Sequence, residues 1–487
     1  MQLAPETLLL LTMLVPFLSV FGILAAYRFP NVREGVSITA GIILLYLVSS
    51  LYTIFQDGTP IVLNSPELFP NITLSFEIEP LGMLFSLVAG FLWLITTIYA
   101  IGYMRGHHES NQTRFYACFA IAISSVMGIA FAGNLFTLFI FYEILTLSTY
   151  PLVTHAGTAK AKEGGRVYLG ILLTTSVLFL LLAIIGTFHT AGTLKFTAGG
   201  VFKPDTPLIV TGTLLVLFIF GIGKAAIMPF HRWLPAAMVA PTPVSALLHA
   251  VAVVKAGVFS VLKVCVYVFG LDLLNQIPTA DIMLYLAGAT VLLASLVAMR
   301  QDNLKARLAY STVSQLGYIT IGALLATSAG VIGGAMHIAM HAFGKITLFF
   351  CAGAIMVAAH KTEISEMRGL GRRMPITMTA FFIGSLSIIG LPPTGGTWGK
   401  WFLMTGAYDA GKWVIMAVLM ISSLLNIAYL LPIPLRAFFS KEAPKGPVQI
   451  KEAPLASLVA LSITALGCIV LFFYTQPLYE LASAILQ

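Results

Sequence analysis

Apolar residues fill this chain in long unbroken stretches, and polar residues gather in short segments between them. A stretch of about 20 apolar residues is long enough to cross the hydrocarbon core of a bilayer as a helix. Fourteen runs come near or exceed that length: 7–27, 35–56, 80–104, 115–133, 135–155, 167–189, 207–230, 241–268, 280–299, 308–327, 329–359, 376–405, 413–435 and 454–484. The pattern therefore predicts an all-α polytopic membrane protein of about fourteen transmembrane helices. The loops test the division. Loops that follow odd-numbered runs hold 19 of the 27 basic residues, Lys441 and Lys445 among them, whereas the even-numbered loops hold only Lys195, Lys203 and Lys412. A wrong count would scramble that alternation. The positive-inside rule then places the odd loops in the cytoplasm and both termini outside, in a cell inner membrane. The first run is too long for a signal-peptide core and has no basic segment before it, which predicts a retained helix.

Composition agrees. The 487 residues are 58% hydrophobic and 9% charged, against about 25% charged in soluble domains. The net charge of +8 is an orientation signal spread over loops, not a nucleic-acid footprint. Cys118, Cys265, Cys351 and Cys468 lie in apolar runs with no C-x-x-C pair, which argues against a disulfide framework, a zinc site or an iron–sulfur cluster. Two short strings imitate nucleotide loops. G-I-G-K-A-A, ending at Ala226, follows no strand, and Lys400 is followed by Trp401 rather than Ser or Thr. No ATP loop, haem-ligand pattern or soluble redox domain is present, so the sequence predicts no cofactor and no metal.

Charge inside the runs changes the picture. Lys224, Lys255, Lys263, Lys345 and Lys400 lie within apolar runs, and of 19 acidic residues only Glu143 lies well inside one; Glu6, Glu79 and Glu480 fall near run ends. An ionisable group at mid-membrane costs roughly 2.5–3.5 kcal/mol on insertion scales, so several of them demand partners, water or a neutral form. Glu143 is the expected partner of a buried lysine, either tuning its proton affinity or merely locking two helices together. Lys224 sits among Gly221, Gly223 and Pro229, which predicts a broken seventh helix. Apolar surroundings and a nearby carboxylate act on a lysine in opposite senses, and the balance suits a reversible proton carrier. Lys255 follows His249 by six residues, a spacing that puts them on roughly opposite sides of a regular helix; Pro241 and Pro243 at its start could alter that facing. His337, His341 and Lys345 recur every four residues and share one face, as a water-lined stripe or as a polar seam to a neighbouring helix. Without a carboxylate or cysteine the stripe is a poor metal site. Lys400 lies in a second broken helix marked by Pro392, Pro393, Gly395, Gly396 and Gly399, with Trp398 and Trp401 as candidate walls. Lys263, near the outer end of its run, is expected to snorkel to the surface.

Two broken runs with one lysine each predict an internal repeat. Helices 4–8 and 9–13 would form the halves, and five spans apiece would invert the second against the first, a transporter signature. The corresponding units are 1–110 (helices 1–3), 111–270 (first repeat), 271–440 (second repeat) and 441–487 (helix 14).

The segments FYEILTLSTYPLV, GKAAIMPFHRWLPAAMVAPTPVSALLHAVAVVKAG, AYSTVSQLGYI, MHAFGKITLFFCAGA and GLPPTGGTWGKWF resemble the antiporter-like subunits of respiratory complex I, Mrp-type sodium/proton antiporters and membrane-bound hydrogenases. The resemblance covers roughly 80–435, with five motifs in one order. It implies that Glu143, Lys224, Lys255 and Lys400 match the family's charged positions in helices 5, 7, 8 and 12, and that His337, His341 and Lys345 match its eleventh-helix stripe. Lysine at the twelfth-helix position is most similar to the D-type subunit of Mrp antiporters. Ala236 departs from the aspartate found in several relatives. The implied activity is proton transfer along Glu143, Lys224, Lys255, His249, His337, His341, Lys345 and Lys400 within a hetero-oligomeric membrane complex. The alternatives are a subunit that itself carries sodium, a proton-pumping subunit of a redox-driven complex, and an assembly scaffold.

Overall fold

The computed structural model describes residues 4–68, 70, 72–440 and 449–487, so that Lys441 and Lys445 lie outside the described residues. The first three long helices are α1 (Pro5–Ala25), α2 (Pro30–Gln56) and α3 (Pro80–Gly106), each opened by a proline whose missing N–H costs nothing at a helix start. Between α2 and α3 lies a short antiparallel hairpin of β1 (Val62–Asn64) and β2 (Ser75–Glu77), which apolar run lengths did not anticipate. Next come α4 (Gln112–Ala130), α5 (Leu135–Val153), α6 (Ala159–Thr175) and α7 (Leu181–Ala191). A π-helical turn, Ser176–Leu180, joins α6 to α7. The side chains of Asn134 and Thr158 cap α5 and α6 by accepting from Thr137 N and Ala161 N.

The seventh run does not continue to 230 as a helix. It holds α8 (Leu208–Gly221), then a 3-10 turn at Gly223–Ala225 and a left-handed Ala226, and ends in the short α9 (Trp233–Ala236). The eighth run is α10 (Thr242–Ala246), a π-helical turn at Leu247–Val251, and α11 (Val253–Val264), closed by a second π-helical turn, Cys265–Phe269, and the short α12 (Leu271–Leu274). The ninth to eleventh runs are α13 (Pro278–Arg300), α14 (Leu304–Leu324) and α15 (Ser328–Ala359). The twelfth is broken as its prolines and glycines suggest: α16 (Pro375–Ile389) ends at Gly390, which adopts φ +89, and α17 (Gly396–Asp409) starts afresh. The chain finishes with α18 (Trp413–Leu430), α19 (Pro432–Phe439), α20 (Leu455–Phe473) and α21 (Gln476–Ala484). Eleven helical segments among the described residues are long and apolar enough to cross a membrane, with Leu208–Gly221 and Pro375–Ile389 as shorter apolar pieces.

Burial separates centre from periphery. Every residue from Pro241 to Gly270 is buried, and α15 is buried over most of its length. At 1.5 Å per residue the 32 residues of α15 extend about 48 Å, and α15 packs against α3, α14, α16, α17 and α20. The outer helices α1, α2, α13 and α18 turn large apolar side chains such as Phe21, Tyr46, Leu293 and Leu424 outward, as lipid- or partner-facing helices do.

The loops sort into two sets. Arg105, in the third loop, binds Glu34 and Asn31 at the first; Arg114 donates to His155 O across the third and fifth; Asn303 meets Glu363 across the ninth and eleventh. On the opposite side Asn134 pairs with Lys195 across the fourth and sixth loops, Thr197 N donates to Tyr267 O across the sixth and eighth, and Lys412 binds Asp281 at 2.7 Å. Odd loops meet odd loops and even meet even, as a chain that crosses a slab at every run requires.

The first break is held by close backbone approach. A Cβ on Gly257 of α11 would lie 2.3 Å from Lys224 C and 2.4 Å from Ala225 N. Gly257→Ala should therefore lower the stability of the purified protein by about 1–3 kcal/mol, because backbone cannot give way as a side chain can. Gly170→Ala on α6, where a Cβ meets nothing within 4 Å, should be neutral or stabilising by up to about 1 kcal/mol. Thermal melting followed by intrinsic fluorescence in detergent reads both.

Candidate functional site

In hydrocarbon a backbone group freed by a helix break must find a partner inside the protein. At the first break Lys224 N–H donates to Tyr142 Oη (3.1 Å), and Trp233 Nε1–H donates to Gly223 O (3.0 Å). The Lys224 ammonium is wholly buried. It donates to Tyr142 O (2.9 Å) and Thr146 Oγ1 (2.5 Å) and stands 3.1 Å from the centre of the Tyr142 ring. One face of α5 thus supplies a carbonyl, a hydroxyl and an aromatic ring to one cation.

Glu143 adjoins this cradle but does not close an ion pair with Lys224. No carboxylate–ammonium contact within 4.0 Å joins them among the described residues, and both Glu143 oxygens are buried without a hydrogen-bond partner. The reason is angular. Tyr142 and Thr146 face Lys224, while Glu143 lies beside Ile144 and Leu147, which are 38% and 56% exposed. A direct Glu143–Lys224 lock is therefore not what holds α5 to the break.

At the second break the lysine itself repairs the backbone. Lys400 Nζ donates to Ile389 O (2.9 Å), a carbonyl of the last turn of α16, and to Ser423 Oγ (3.1 Å) on α18. A cation at a helix C-terminus also meets the negative end of the helix dipole. Trp398 Nε1–H donates to Phe472 O (3.0 Å) and walls the break, but Trp401 is 59% exposed and does not.

Between the two breaks α15 presents its stripe. The rings of His337 and His341 stack at 5.8 Å, and Tyr318 stacks on His337 at 5.7 Å. His337 Nε2 lies 2.9 Å from Gln315 Oε1; an amide oxygen only accepts, so Nε2 carries the proton. Lys255 Nζ lies 2.5 Å from His341 Nδ1, so the lysine and the imidazole are joined by one hydrogen bond. Tyr318 reaches on to Lys400, whose Nζ is 4.7 Å from its ring centre. Lys255, His341, His337, Tyr318 and Lys400 thus form a contiguous row. Lys345, one turn further along α15, turns aside to Leu308 O (3.2 Å). His249 lies on the π-helical turn before α11, packed at 4.7 Å against Phe349, and neither ring nitrogen has a partner among the described residues.

Sequence reasoning missed several members of the site. Tyr142 and Thr146 flank Glu143 at the spacing of one helical face, and Gln315 and Tyr318 lie in AYSTVSQLGYI; that polar content within an apolar run was the available signal. Lys263 needs correction. It does not snorkel: it is 1% exposed and pairs with Glu79 at 2.5 Å while donating to Ala132 O at 2.6 Å. Glu143 is accordingly not the sole carboxylate able to balance a buried lysine. The π-helical turn Cys265–Phe269 and the fourth and sixth loops enclose this end of the helix.

Two interrupted helices with buried lysines, and a row from Lys255 through two imidazoles to the lysine of the second break, define an antiporter-like membrane subunit inside a helical membrane bundle. The sequence profile of the "NADH:quinone oxidoreductase/Mrp antiporter, TM" family matches residues 132–426, and that of "NADH-Ubiquinone oxidoreductase (complex I), chain 5 N-terminus" matches 69–116. The chain belongs to this NADH:quinone oxidoreductase/Mrp antiporter family. It is 33% identical over 427 residues to NADH-quinone oxidoreductase subunit N of Desulforudis audaxviator, covering 84% of each chain. It is 32% identical over 485 residues to a probable K(+)/H(+) antiporter protein, the A/B subunit, of Rhizobium meliloti, covering 96% of this chain and 47% of that one. It spans about half the length of that relative and of the cyanobacterial NAD(P)H-quinone oxidoreductase chain 5 proteins. The fold is that of chains in the Mrp complex of a Dietzia species (TM-score 0.86, 22% identity, 99% of this chain and 97% of that chain) and in an archaeal membrane-bound sulfane sulfur reductase (TM-score 0.87, 24% identity, 98% of each).

Trp233→Phe keeps the ring but strips the donor from Gly223 O. The orphaned carbonyl should cost about 1–3 kcal/mol, seen as a lower melting temperature with helix content unchanged by circular dichroism.

Proposed function

We propose that the chain is the proton-translocating, antiporter-like subunit of a multisubunit cation/proton antiporter of Mrp type, spanning a cell inner membrane fourteen times with both termini outside. Helices 4–8 and 9–13 would be inverted repeats, within the units 1–110, 111–270, 271–440 and 441–487. The lysine-bearing breaks stand fourth in each half, which supports that division, and the segregation of odd from even loops supports the crossing pattern.

The observation that carries the reading is the hydrogen bond between Lys255 and His341, set in a row of buried groups with unfilled hydrogen-bonding capacity. His341 Nε2, His337 Nδ1, Gln315 Nε2, both His249 nitrogens and both Glu143 oxygens are buried and lack a partner among the described residues. Buried polar atoms of this kind hold water, and water between titratable groups conducts protons. Lys224 would load from one side, with the Glu143 charge acting across a short distance rather than through a contact. The proton would pass to Lys255, exchange onto His341 Nδ1, cross by His337 and Tyr318 to Lys400, and leave on the other side. His249 and Lys345 would supply further relay positions off the main row, and the breaks at Pro229 and at Pro392–Pro393 the openings that water needs. The 33% identity to a quinone oxidoreductase subunit over 84% of each chain favours, as the second reading, the same route driven by a redox partner. Other membrane subunits would supply that drive, and lipid would cover the remaining faces. A sodium site within this chain would want several oxygen ligands, of which Glu143 is the sole carboxylate on the row.

Lys224→Ala should abolish proton transport while the complex still assembles, measured by quenching of a pH-sensitive dye in vesicles that carry the intact complex. Normal transport by that variant would remove the route. In the same assay His341→Ala should slow transport by about 100-fold or more, the usual contribution of a positioned proton-transfer group. Sodium dependence of the reconstituted complex, and the identity of the proteins that co-purify with it, separate the antiporter from the redox-driven pump.

A further inference from the structure

The Glu79–Lys263 pair lies off the row described above. Glu79 immediately precedes α3 and Lys263 lies near the end of α11, on the side of the even-numbered loops. Their exposures differ in a way that assigns roles: the Glu79 side chain is 14% exposed and that of Lys263 1%. A cavity of ≈ 260 Å³ bordered by Glu77, Glu79, Ala132, Phe196 and Tyr267 adjoins the carboxylate. Lys263 is fixed from behind by Ala132 O and by the ring of Phe196, 4.4 Å from its nitrogen.

The same two helices close the inner side of the pair with aromatic rings. Phe259, one turn before Lys263, packs against Phe85 of α3 with centroids 4.9 Å apart and the rings tilted by 33°, and both are wholly buried. Lys255 lies one further turn down α11, so about 12 Å of helix separates it from Lys263. Along one helix the order is a lysine of the row, an aromatic plug, and an ion pair beside a cavity.

We propose that Glu79 is the outer proton-exchange group of the first half of the chain, held by Lys263 and divided from Lys255 by the Phe85–Phe259 plug. The role rests on the proton route proposed above. Wetting of the plug joins Lys255 to Glu79. The Lys255 ammonium loses a proton and becomes an amine, while the Glu79 carboxylate gains it and becomes a neutral acid. The ion pair opens. Glu79 then gives the proton to water in the cavity, and its carboxylate pairs again with Lys263. Only N–H and O–H bonds change, and the Lys263 charge persists throughout, favouring return of Glu79 to its ionised form. A purely structural pair would instead fasten α3 to α11.

The test uses the intact complex in vesicles, with proton flux expressed per assembled complex. The double variant Glu79→Gln/Lys263→Met leaves no buried charge unpaired, so a structural pair predicts recovery of assembly and transport together. An exchange pair predicts assembly with flux at least tenfold lower. Wild-type flux from the assembled double variant would overturn the proposal. Phe259→Ala gives an independent reading, and decides the matter if the double variant does not assemble. Passive proton leak through the undriven complex should rise severalfold, and an unchanged leak would overturn the plug and the exchange role with it. Lys224→Ala run in parallel separates the two ideas. If it transports normally, the whole route fails; if it is inactive while the double variant behaves as wild type, the outer role of Glu79 alone fails.

Discussion

A helix that breaks in hydrocarbon leaves peptide groups that water cannot reach, and an ammonium placed there meets the same difficulty. This chain answers one with the other. At the second break the Lys400 ammonium fills Ile389 O at the end of α16. At the first break the work is divided: Trp233 and Tyr142 take up the Gly223 carbonyl and the Lys224 N–H, while a carbonyl and a hydroxyl of α5 hold the Lys224 charge. The second break is filled by its cation and the first by neighbouring side chains, and each cation stays at membrane depth because of nearby backbone and hydroxyl dipoles.

That arrangement sets the electrostatics of the row. Lys224, Lys255, Lys345 and Lys400 are bound by carbonyls, hydroxyls, an aromatic ring and an imidazole, with no carboxylate in direct contact among the described residues. Dipoles solvate a cation without cancelling its charge, so ammonium groups that share one low-dielectric interior still repel one another. Moving a proton along the row relieves that repulsion at one position and raises it at the next. The Lys263–Glu79 pair follows the opposite rule, a cation neutralised by an anion at the edge of the slab. The contrast separates the lysines of the row from Lys263, whose charge is balanced in place by a carboxylate.

The central helices provide the rigidity such a row needs. The segment from Pro241 to Gly270 is enclosed on all sides, yet it is irregular, with π-helical turns at Leu247–Val251 and Cys265–Phe269. An extra residue in a turn rotates the side chains that follow, and across the first of these turns His249 and Lys255, six residues apart, both face α15, at Phe349 and His341. A long, regular α15 beside it offers His337 and His341 on a fixed face. Regular and irregular helices together bring Lys255 onto His341.

Apolar run length determined that the chain is a helical membrane protein and where its long helices approximately lie, because hydrocarbon thickness acts on any sequence locally. The same logic marked Lys224 and Lys400 at the two breaks through Gly221, Gly223, Pro392 and Pro393. Folding alone decided which partner each cation takes. Partner choice depends on which way a side chain leaves its helix, and a difference of one residue turns that direction by about 100°. So Tyr142 and Thr146, rather than Glu143, hold Lys224, and Glu79, far away along the chain, neutralises a lysine whose sequence position suggested a surface.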